Sequence, residues 1–209
     1  IKRLRLKKYR QQESAFVVEG AKSVRLLLAS HYTVQLVVGT SAFLAAHSAL
    51  WQEQDYSVFQ VDEDTLASLG TFQTNKTALA VASQPVSLPI ASDAWGLALD
   101  DINDPGNLGT IVRIADWYKI PTIICSPNTV DLYNPKVLQA SMGSFTRVQV
   151  HYTHLPTYLD QTVWPVWGTF TSGTNAHHTP IPMPGWIVIG NEANGISSGV
   201  LPYIQKRIS

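Results

Sequence analysis

The chain has little cysteine, little charge and no long apolar run, and each shortage excludes a class of protein. Its 209 residues include one cysteine, Cys125, which rules out an internal disulfide and favours a reducing compartment. No stretch approaches the roughly eighteen consecutive apolar residues that a membrane-spanning helix needs. The basic N-terminus lacks the apolar segment of a secretory signal. We therefore expect a globular protein of the cytoplasm with no membrane partner.

Recognised nucleotide and metal motifs are also missing. Gly106 and Gly109 do not form the G-x-G-x-x-G pattern of dinucleotide-binding proteins, and no G-K-[ST] follows them. His177 and His178 are adjacent, but no cysteine or acidic residue stands at the spacing of a metal site. The sequence therefore predicts no metal and argues against a generic nucleotide-binding enzyme.

The charges that are present lie unevenly along the chain. Six of the fifteen Lys and Arg occur in the first ten residues, namely Lys2, Arg3, Arg5, Lys7, Lys8 and Arg10. The rest of the chain carries nine basic residues against fifteen acidic ones. A basic segment on an acidic body is typical of a phosphate-binding element, and a solvated helix face would give the same pattern.

Strand-like and helix-like patterns alternate along the chain in two series. Residues 1–83 contain strands at AFVVEG, TVQLVVG, YSVFQV and TALAVAS. The helices between them are predicted at AKSVRLLLAS, SAFLAAHSALW and EDTLASLG, and Asp62 is placed to cap the last of these. Residues 94–209 repeat the alternation, beginning with a strand at WGLALDD and ending with a short helix at SGVLPYIQK before the final RIS. Residues 84–93, QPVSLPIASD, fit a linker. This organisation predicts an α/β protein with two α/β domains.

The stretch LDDINDPGNLGTIVRIAD, residues 99–116, predicts a strand followed by a helix. An apolar stripe at helical spacing is formed by Leu108, Ile111, Val112 and Ala115. Asn107 is placed to cap this helix, and Arg113 lies near its N-terminus, a region that favours anions. The alternative is a surface arginine that pairs with Asp116.

Two further stretches point to ligands. In IVIGNEANGIS, residues 187–197, a strand ends in a glycine-flanked Asn191 and Glu192, with Ser197 or Ser198 placed to cap a helix. Such a loop is the usual ligand crevice of an α/β sheet, although a plain connection would look the same. In YNPKVLQASMGSFTRV, residues 133–148, Asn134 would cap a helix beginning at Pro135. Lys136 in its first turn indicates either an anionic partner or a solvated lysine.

In this order, the three stretches resemble the SpoU (TrmH) family of RNA ribose 2′-O-methyltransferases, which belong to the SPOUT class with a trefoil knot. The N-terminal KKYRQQESAFVVEGAKSVRLLL resembles the substrate-binding domain, similar to ribosomal protein L30e, that often precedes the methyltransferase. The resemblance implies S-adenosylmethionine as cofactor, a homodimer, and ribosomal rather than transfer RNA as substrate. The expected domains are an L30e-like domain at 1–83 and a SpoU-type methyltransferase domain at 94–209.

The resemblance also implies roles for individual residues. Asn107 and Arg113 match the first family motif and Glu192 the second, which makes these three the expected catalytic residues. The expected cofactor residues are Thr169, Gly190, Asn191, Glu192 and Gly195. The expected RNA contacts are the six N-terminal basic residues and Lys136. A guanidinium group rarely gives up its proton, so Arg113 would orient the ribose phosphate and stabilise the developing alkoxide.

The sequence departs from the family at its C-terminal end. An Ile-Pro pair and a Ser-Leu-Asn loop would be expected after the final RIS, so we expect a C-terminally incomplete domain without the knot-completing segment. Gln139 stands where the family often has arginine. The alternative function is a non-catalytic RNA-binding protein with a SPOUT-like fold. The missing motif favours that alternative, whereas intact Asn107, Arg113 and Glu192 favour the enzyme.

Overall fold

A computed structural model describes residues 1–50, 56–86, 90, 95–180 and 184–209 of the chain. The chain forms two compact units, and each has its own core. Unit 1 comprises Ile1–Val86 and Asp131–Thr146, and unit 2 comprises Ser87–Val130 and Arg147–Ser209. Within the predicted linker, residues 87–89 and 91–93 lie outside the described residues. No helix in the described ranges is long and apolar enough to cross a membrane.

Unit 1 contains a mixed sheet with helices around it. Its strands are β1 (Ala15–Glu19), β2 (Val34–Gly39), β3 (Ser57–Gln60) and β4 (Ala78–Ser83). Its helices are α1 (Lys7–Glu13), α2 (Ala21–Leu28), α3 (Ser41–Ala46), α4 (Glu63–Leu69) and α6 (Pro135–Ser141), with 3₁₀ turns at Lys2–Arg5, Ser48–Leu50 and Ser144–Thr146. The described strands are ordered β1-β4-β2-β3, antiparallel except for β2 and β3.

The core of unit 1 explains why β1 and β4 read as unbroken apolar runs. Residues Ala15–Val18 of β1 and Ala78–Ala82 of β4 are buried, and α2 and α6 both pack against β1. Leu4, from the 3₁₀ turn at the N-terminus, joins Leu66 and Leu79 in this core. Burial of Leu4 therefore attaches the basic N-terminal segment, with its two short helical elements, to the core of unit 1.

Arg10 belongs to the interior of unit 1, which corrects its expected role as an RNA contact. The side chain is only 2% exposed. Its Nη2 and Nε lie 2.5 and 3.0 Å from Asp131 Oδ2, and its Nη1 donates to the carbonyls of Leu4 and Arg5. A buried charge needs such partners, and these place the guanidinium group out of reach of a ligand at the surface.

Unit 2 is built on a parallel sheet. Its strands are β5 (Trp95–Asp100), β6 (Thr122–Cys125), β7 (Gln149–Tyr152), β8 (Val166–Thr174), β9 (Gly185–Gly190) and β10 (Lys206–Ile208). Its helices are α5 (Pro105–Trp117) and α7 (Leu155–Gln161), with 3₁₀ turns at Ala176–His178 and Leu201–Tyr203. Among the described residues the strand order is β10-β8-β9-β5-β6-β7, with every pair parallel. The central strands supply buried Ala98, Ile124 and Val188 to the core.

The predicted α/β class with two units is confirmed, and the differences are local. The predicted helix SGVLPYIQK is reduced to the 3₁₀ turn Leu201–Tyr203, because Pro202 cannot extend a regular helix from within. The helix predicted from residue 41 ends at Ala46, and its last predicted residue, Trp51, lies outside the described residues. Segment 131–146 packs within unit 1 although it lies in the stretch 94–209. The domain boundaries at 83 and 94 stay predictions.

Candidate active site

The candidate site lies where two central strands of unit 2 end. Strands β5 and β9 are neighbours in register, with Asp100 opposite Gly190. Because both strands run in the same direction, the loops that follow them, 101–104 and 191–197, meet at one edge of the sheet. This edge of a parallel sheet is where ligands bind in open α/β proteins.

The start of α5 fixes the first half of the site. Asp104 caps the helix, since its Oδ1 accepts from the backbone N–H of Asn107 at 2.9 Å, and Pro105 takes the first helical position. The prediction that Asn107 is the cap was therefore wrong by one turn. Because Asp104 satisfies the helix end, the amide side chain of Asn107 is available for another partner.

That partner is Glu192, so the structure joins two of the three expected catalytic residues. Asn107 Nδ2 donates to Glu192 Oε1 at 2.7 Å. This hydrogen bond, assisted by the backbone N–H groups of Asn103 and Asp104, holds the pKa of Glu192 below its ordinary value. Glu192 is thus a carboxylate at neutral pH, exposed at the edge of the sheet.

The loop after β9 is closed by Asn191 and two glycines. Asn191 and Gly195 exchange backbone hydrogen bonds of 3.0 and 2.9 Å, and the Asn191 Oδ1 accepts from the N–H groups of Ala193 and Asn194. Gly195 has φ +68°, and a Cβ on Gly190 would overlap the backbone of Gly195. Both glycines are required by this fold-back. Neither Ser197 nor Ser198 caps a helix as predicted.

Thr169, another expected cofactor residue, lies on the neighbouring strand β8. Its Oγ1 donates to the carbonyl of Val188 at 3.2 Å, and the residue is exposed. Gly168 pairs with Val188 in the β8–β9 register. Thr169 therefore belongs to the same region of the sheet as the loop that begins at Gly190.

Arg113 is exposed on α5 and is not brought into contact with Asn107 or Glu192. Burial of Leu108, Val112 and Ala115 confirms the predicted stripe and turns Arg113 outward. No hydrogen bond or ion pair joins it to another residue in the described ranges. The alternative pairing with Asp116 is not formed, because Asp116 Oδ2 lies 2.5 Å from Arg147 Nη2.

The remaining expected RNA contacts lie in unit 1. The N-terminal basic cluster, defined as Lys2, Arg3, Arg5, Lys7 and Lys8, is exposed on the first 3₁₀ turn and α1. Lys136 is exposed in the first turn of α6, whose predicted cap is confirmed by the 3.0 Å bond from Lys136 N to Asn134 Oδ1. The described residues hold no group of three or more His, Cys, Asp or Glu suited to a metal.

Some residues of the site were not predicted. Asp100 and Asp101 at the end of β5, and Ser126 after β6, hold the loops in place through hydrogen bonds. The signal available was the polar pair directly after the apolar run WGLAL. At the far end of α5, Trp117 and Tyr118 are 83% and 71% exposed. Helical spacing places Trp117 on the same face as Arg113, away from the buried stripe, but it does not indicate what the two aromatic side chains contact.

Comparison with known proteins assigns both parts of the chain. The SpoU rRNA methylase family matches residues 95–209, and the MRM3-like substrate binding domain matches residues 1–80. The chain is 26% identical over 204 residues to the 23S rRNA (guanosine(2553)-2′-O)-methyltransferase RlmP of Bacillus subtilis (strain 168), covering 96% of this chain and 81% of that protein.

Solved structures agree with these matches. A protein of the TrmH family from Porphyromonas gingivalis superposes with a TM-score of 0.90 at 34% identity, covering 99% of this chain and 84% of that one. The SpoU methyltransferase AviRb from Streptomyces viridochromogenes, solved with AdoMet, shares the fold with a TM-score of 0.84 at 21% identity, covering 98% and 83%. These likenesses confirm the expected SPOUT-like α/β methyltransferase fold. With its family match over more than half its length, the chain belongs to the SpoU rRNA methylase family.

Proposed function

We propose that this protein is an S-adenosylmethionine-dependent methyltransferase that modifies a ribose 2′-hydroxyl in ribosomal RNA. The observation that carries the proposal is the 2.7 Å hydrogen bond between Asn107 and Glu192, because it joins the two motifs that the family resemblance singled out. Family membership and the relative that methylates ribosomal RNA support the same reaction and substrate.

The loop after β9 suits the methyl donor. Because Gly190 has no side chain, the backbone of the loop at Gly195 packs directly against the end of β9. We assign the cofactor to Thr169 and to Gly190, Asn191, Glu192 and Gly195. When bound, S-adenosylmethionine supplies a methyl group on a positively charged sulfur, and the ionised carboxylate of Glu192 suits a cationic ligand.

Arg113 is assigned to the ribose. A ribose hydroxyl is a poor nucleophile, so the enzyme must align it and stabilise the negative charge that develops on its oxygen. A guanidinium group stays protonated and donates two parallel hydrogen bonds, which fits a ribose phosphate and a developing alkoxide. The exposure of Arg113, with no partner among the described residues, leaves its donors available for RNA. The Asn107–Glu192 pair would position the reacting groups.

The RNA-binding surface is assigned to the N-terminal basic cluster together with Lys136. These six side chains are exposed, and the match of residues 1–80 to a substrate binding domain supports the role of the N-terminal basic cluster. Arg10 is left out because it is buried.

A homodimer is the second part of the proposal. At the end of α5, Ile114, Trp117 and Tyr118 are 47%, 83% and 71% exposed, an apolar surface of the kind that marks an interface. We assign this surface, the α5 apolar face, to contact with a second copy of the chain.

A cytoplasmic location is also proposed. The single thiol, Cys125, is buried in β6, where burial raises its pKa and keeps it unreactive. Such a thiol needs no oxidising compartment. When cells of the native host are fractionated, we expect the protein in the cytoplasmic fraction.

The deciding experiment uses the full-length protein, radiolabelled S-adenosylmethionine, and unmodified ribosomal and transfer RNA. We expect label on ribose 2′-oxygens of ribosomal RNA, and loss of transfer in Arg113→Ala by about a thousandfold, as for removal of an oxyanion donor. Cofactor affinity and folding should be kept. Lys119→Asn, which changes an exposed cation at a left-handed φ that asparagine tolerates, is the matched control.

Tight RNA binding without transfer would refute the enzyme and leave an RNA-binding protein. Label on transfer RNA alone would refute the substrate assignment. Activity retained in Arg113→Ala would refute the role of Arg113.

A further inference from the structure

The loop that carries Glu192 is anchored at both ends by two consecutive residues. Asp100 is the last residue of β5, and Asp101 is the first residue of the turn after it. The carbonyl oxygen of Asp101 accepts from Asn191 Nδ2 at 2.7 Å, at the start of the loop. The Oδ2 atom of Asp100 accepts from the backbone N–H of Ser197 at 2.7 Å, at its end. We call these two contacts the loop clamp. Glu192 lies between them.

The Asp100 half of the clamp is buried. The residue is only 4% exposed, and a buried carboxylate requires hydrogen-bond donors. The N–H of Ser197 is such a donor, in a chain segment 97 residues away in sequence. The carboxylate therefore fixes where the loop returns to the sheet.

The Asp101 half depends on an unusual backbone conformation. Asp101 has φ +58°, in the left-handed region that residues other than glycine seldom adopt unless their surroundings hold them there. Ser126 supplies that hold, because its Oγ accepts from Asp101 N at 2.8 Å and donates to Asp101 Oδ1 at 2.6 Å. The left-handed turn at Asp101 directs its carbonyl oxygen toward Asn191 Nδ2, which donates to it.

We propose that Asp100 and Asp101 are positioning residues for methyl transfer, which act by clamping the 191–197 loop. With both ends fixed, Glu192 meets Asn107 and the loop backbone keeps the shape that receives the methyl donor. The relevance to catalysis rests on the proposed function, whereas the clamp itself is a property of the fold. Neither residue is assigned a contact with substrate.

Paired variants at Asp100 and at Asp101 separate the hydrogen bonds of the clamp from the charge and the side chain of each residue. Asp100→Asn keeps an oxygen acceptor for Ser197 N–H but removes the charge, whereas Asp100→Ala removes both. Asp101→Gly keeps the left-handed backbone and its carbonyl, whereas Asp101→Val disfavours that backbone because of its β-branched side chain. Each disruptive variant thus has a conservative partner at the same position.

The test compares these four variants in the full-length protein. Amide hydrogen exchange is measured first, followed by the KM for S-adenosylmethionine and for RNA. In Asp100→Ala and Asp101→Val, we expect the rate of amide exchange at residues 193–197 to rise about tenfold, which corresponds to the loss of one hydrogen bond. Asp100→Ala loses the bond to Ser197 N–H, and Asp101→Val loses the bond to Asn191 Nδ2. The KM for S-adenosylmethionine should rise by a similar factor, with the KM for RNA unchanged. Asp100→Asn and Asp101→Gly should stay within about threefold of wild type.

Unchanged exchange in Asp100→Ala would overturn the proposal, as would an Asp100→Asn variant as impaired as Asp100→Ala. If Asp100→Ala does not fold, the Asp101→Val and Asp101→Gly comparison decides by the same criteria. A wild-type protein that neither binds nor uses S-adenosylmethionine would refute the proposed function instead. The exchange data would still decide whether the clamp exists.

Discussion

Replacing Asn107 by aspartate tests the contact that joins the two motifs. The amide of Asn107 donates to Glu192 Oε1 at 2.7 Å, and the carboxylate that replaces it would face a second carboxylate. Two unit charges that relax to about 4 Å repel by about 1 kcal/mol in water and about 4 kcal/mol near a protein surface. Both side chains are exposed, so we take the low end of this range.

Loss of the hydrogen bond adds about 1 kcal/mol. The total of about 2 kcal/mol corresponds to methyl transfer slowed roughly thirtyfold at neutral pH. Asn107→Ala loses the bond without the repulsion, and its transfer should slow about fivefold.

The rate of Asn107→Asp relative to wild type should depend on pH, and the direction follows from the pKa of Glu192. In the wild type, the Asn107 amide lowers the pKa of Glu192, so the contact is complete above the ordinary glutamate range and is lost as pH falls through the lowered pKa. In Asn107→Asp, the donor is lost and a like charge is added, which raises the pKa of Glu192. Protonation of either carboxyl then restores a donor between them. The ratio of variant to wild-type rate should therefore rise as pH falls from neutral.

Single-turnover methyl transfer across the weakly acidic to neutral range measures both effects. If Asn107→Asp is no slower than Asn107→Ala at neutral pH, or if its ratio to wild type does not change with pH, the contact does not position the reacting groups.

Three further predictions concern other parts of the molecule. Neutralising the N-terminal basic cluster should weaken RNA binding and reduce the slope of log K against log salt by about 0.7 to 0.9 per lost phosphate contact, and an unchanged slope would make the cluster a solvated surface. Arg10→Ala should lower the free energy of unfolding in urea by about 3 kcal/mol, since it leaves Asp131 without its buried partner, whereas the exposed pair of Arg147 and Asp116 should lose less than about 1 kcal/mol in Arg147→Ala. Trp117→Lys should convert the dimer to a monomer in sedimentation velocity, and a wild-type monomer would refute the assignment of the α5 apolar face.

Features that depend on neighbouring residues were predictable from the sequence. The alternation of strands and helices, the caps at Asp62 and Asn134 and the buried stripe of α5 all follow from short-range patterns. In these places the local preference and the packed fold agree. The resemblance in three ordered motifs also assigns Asn107 and Glu192 to one site, and a hydrogen bond joins them in the structure.

Features that depend on distant partners were not predictable. Arg10 resembles its basic neighbours in sequence, and the sequence pattern does not reveal its ion pair with Asp131, 121 positions further on. The cap of α5 was misplaced because Asp104 and Asn107 both suit a helix start, and the choice between them required the partner of Asn107, Glu192, in the loop after β9. The left-handed backbone of Asp101 likewise depends on Ser126, which lies on another strand connection.

The composition of unit 1 from two separate stretches has a consequence for synthesis. The ribosome releases residues 1–86 first, but α6 and Asp131, which cover β1 and neutralise Arg10, emerge only about fifty residues later. During that interval β1 lacks one of the helices that pack against it, and Arg10 lacks its counter-charge. A fragment that ends at residue 86 would lack α6 and Asp131 permanently. A soluble N-terminal fragment would therefore have to include residues 131–146 as well.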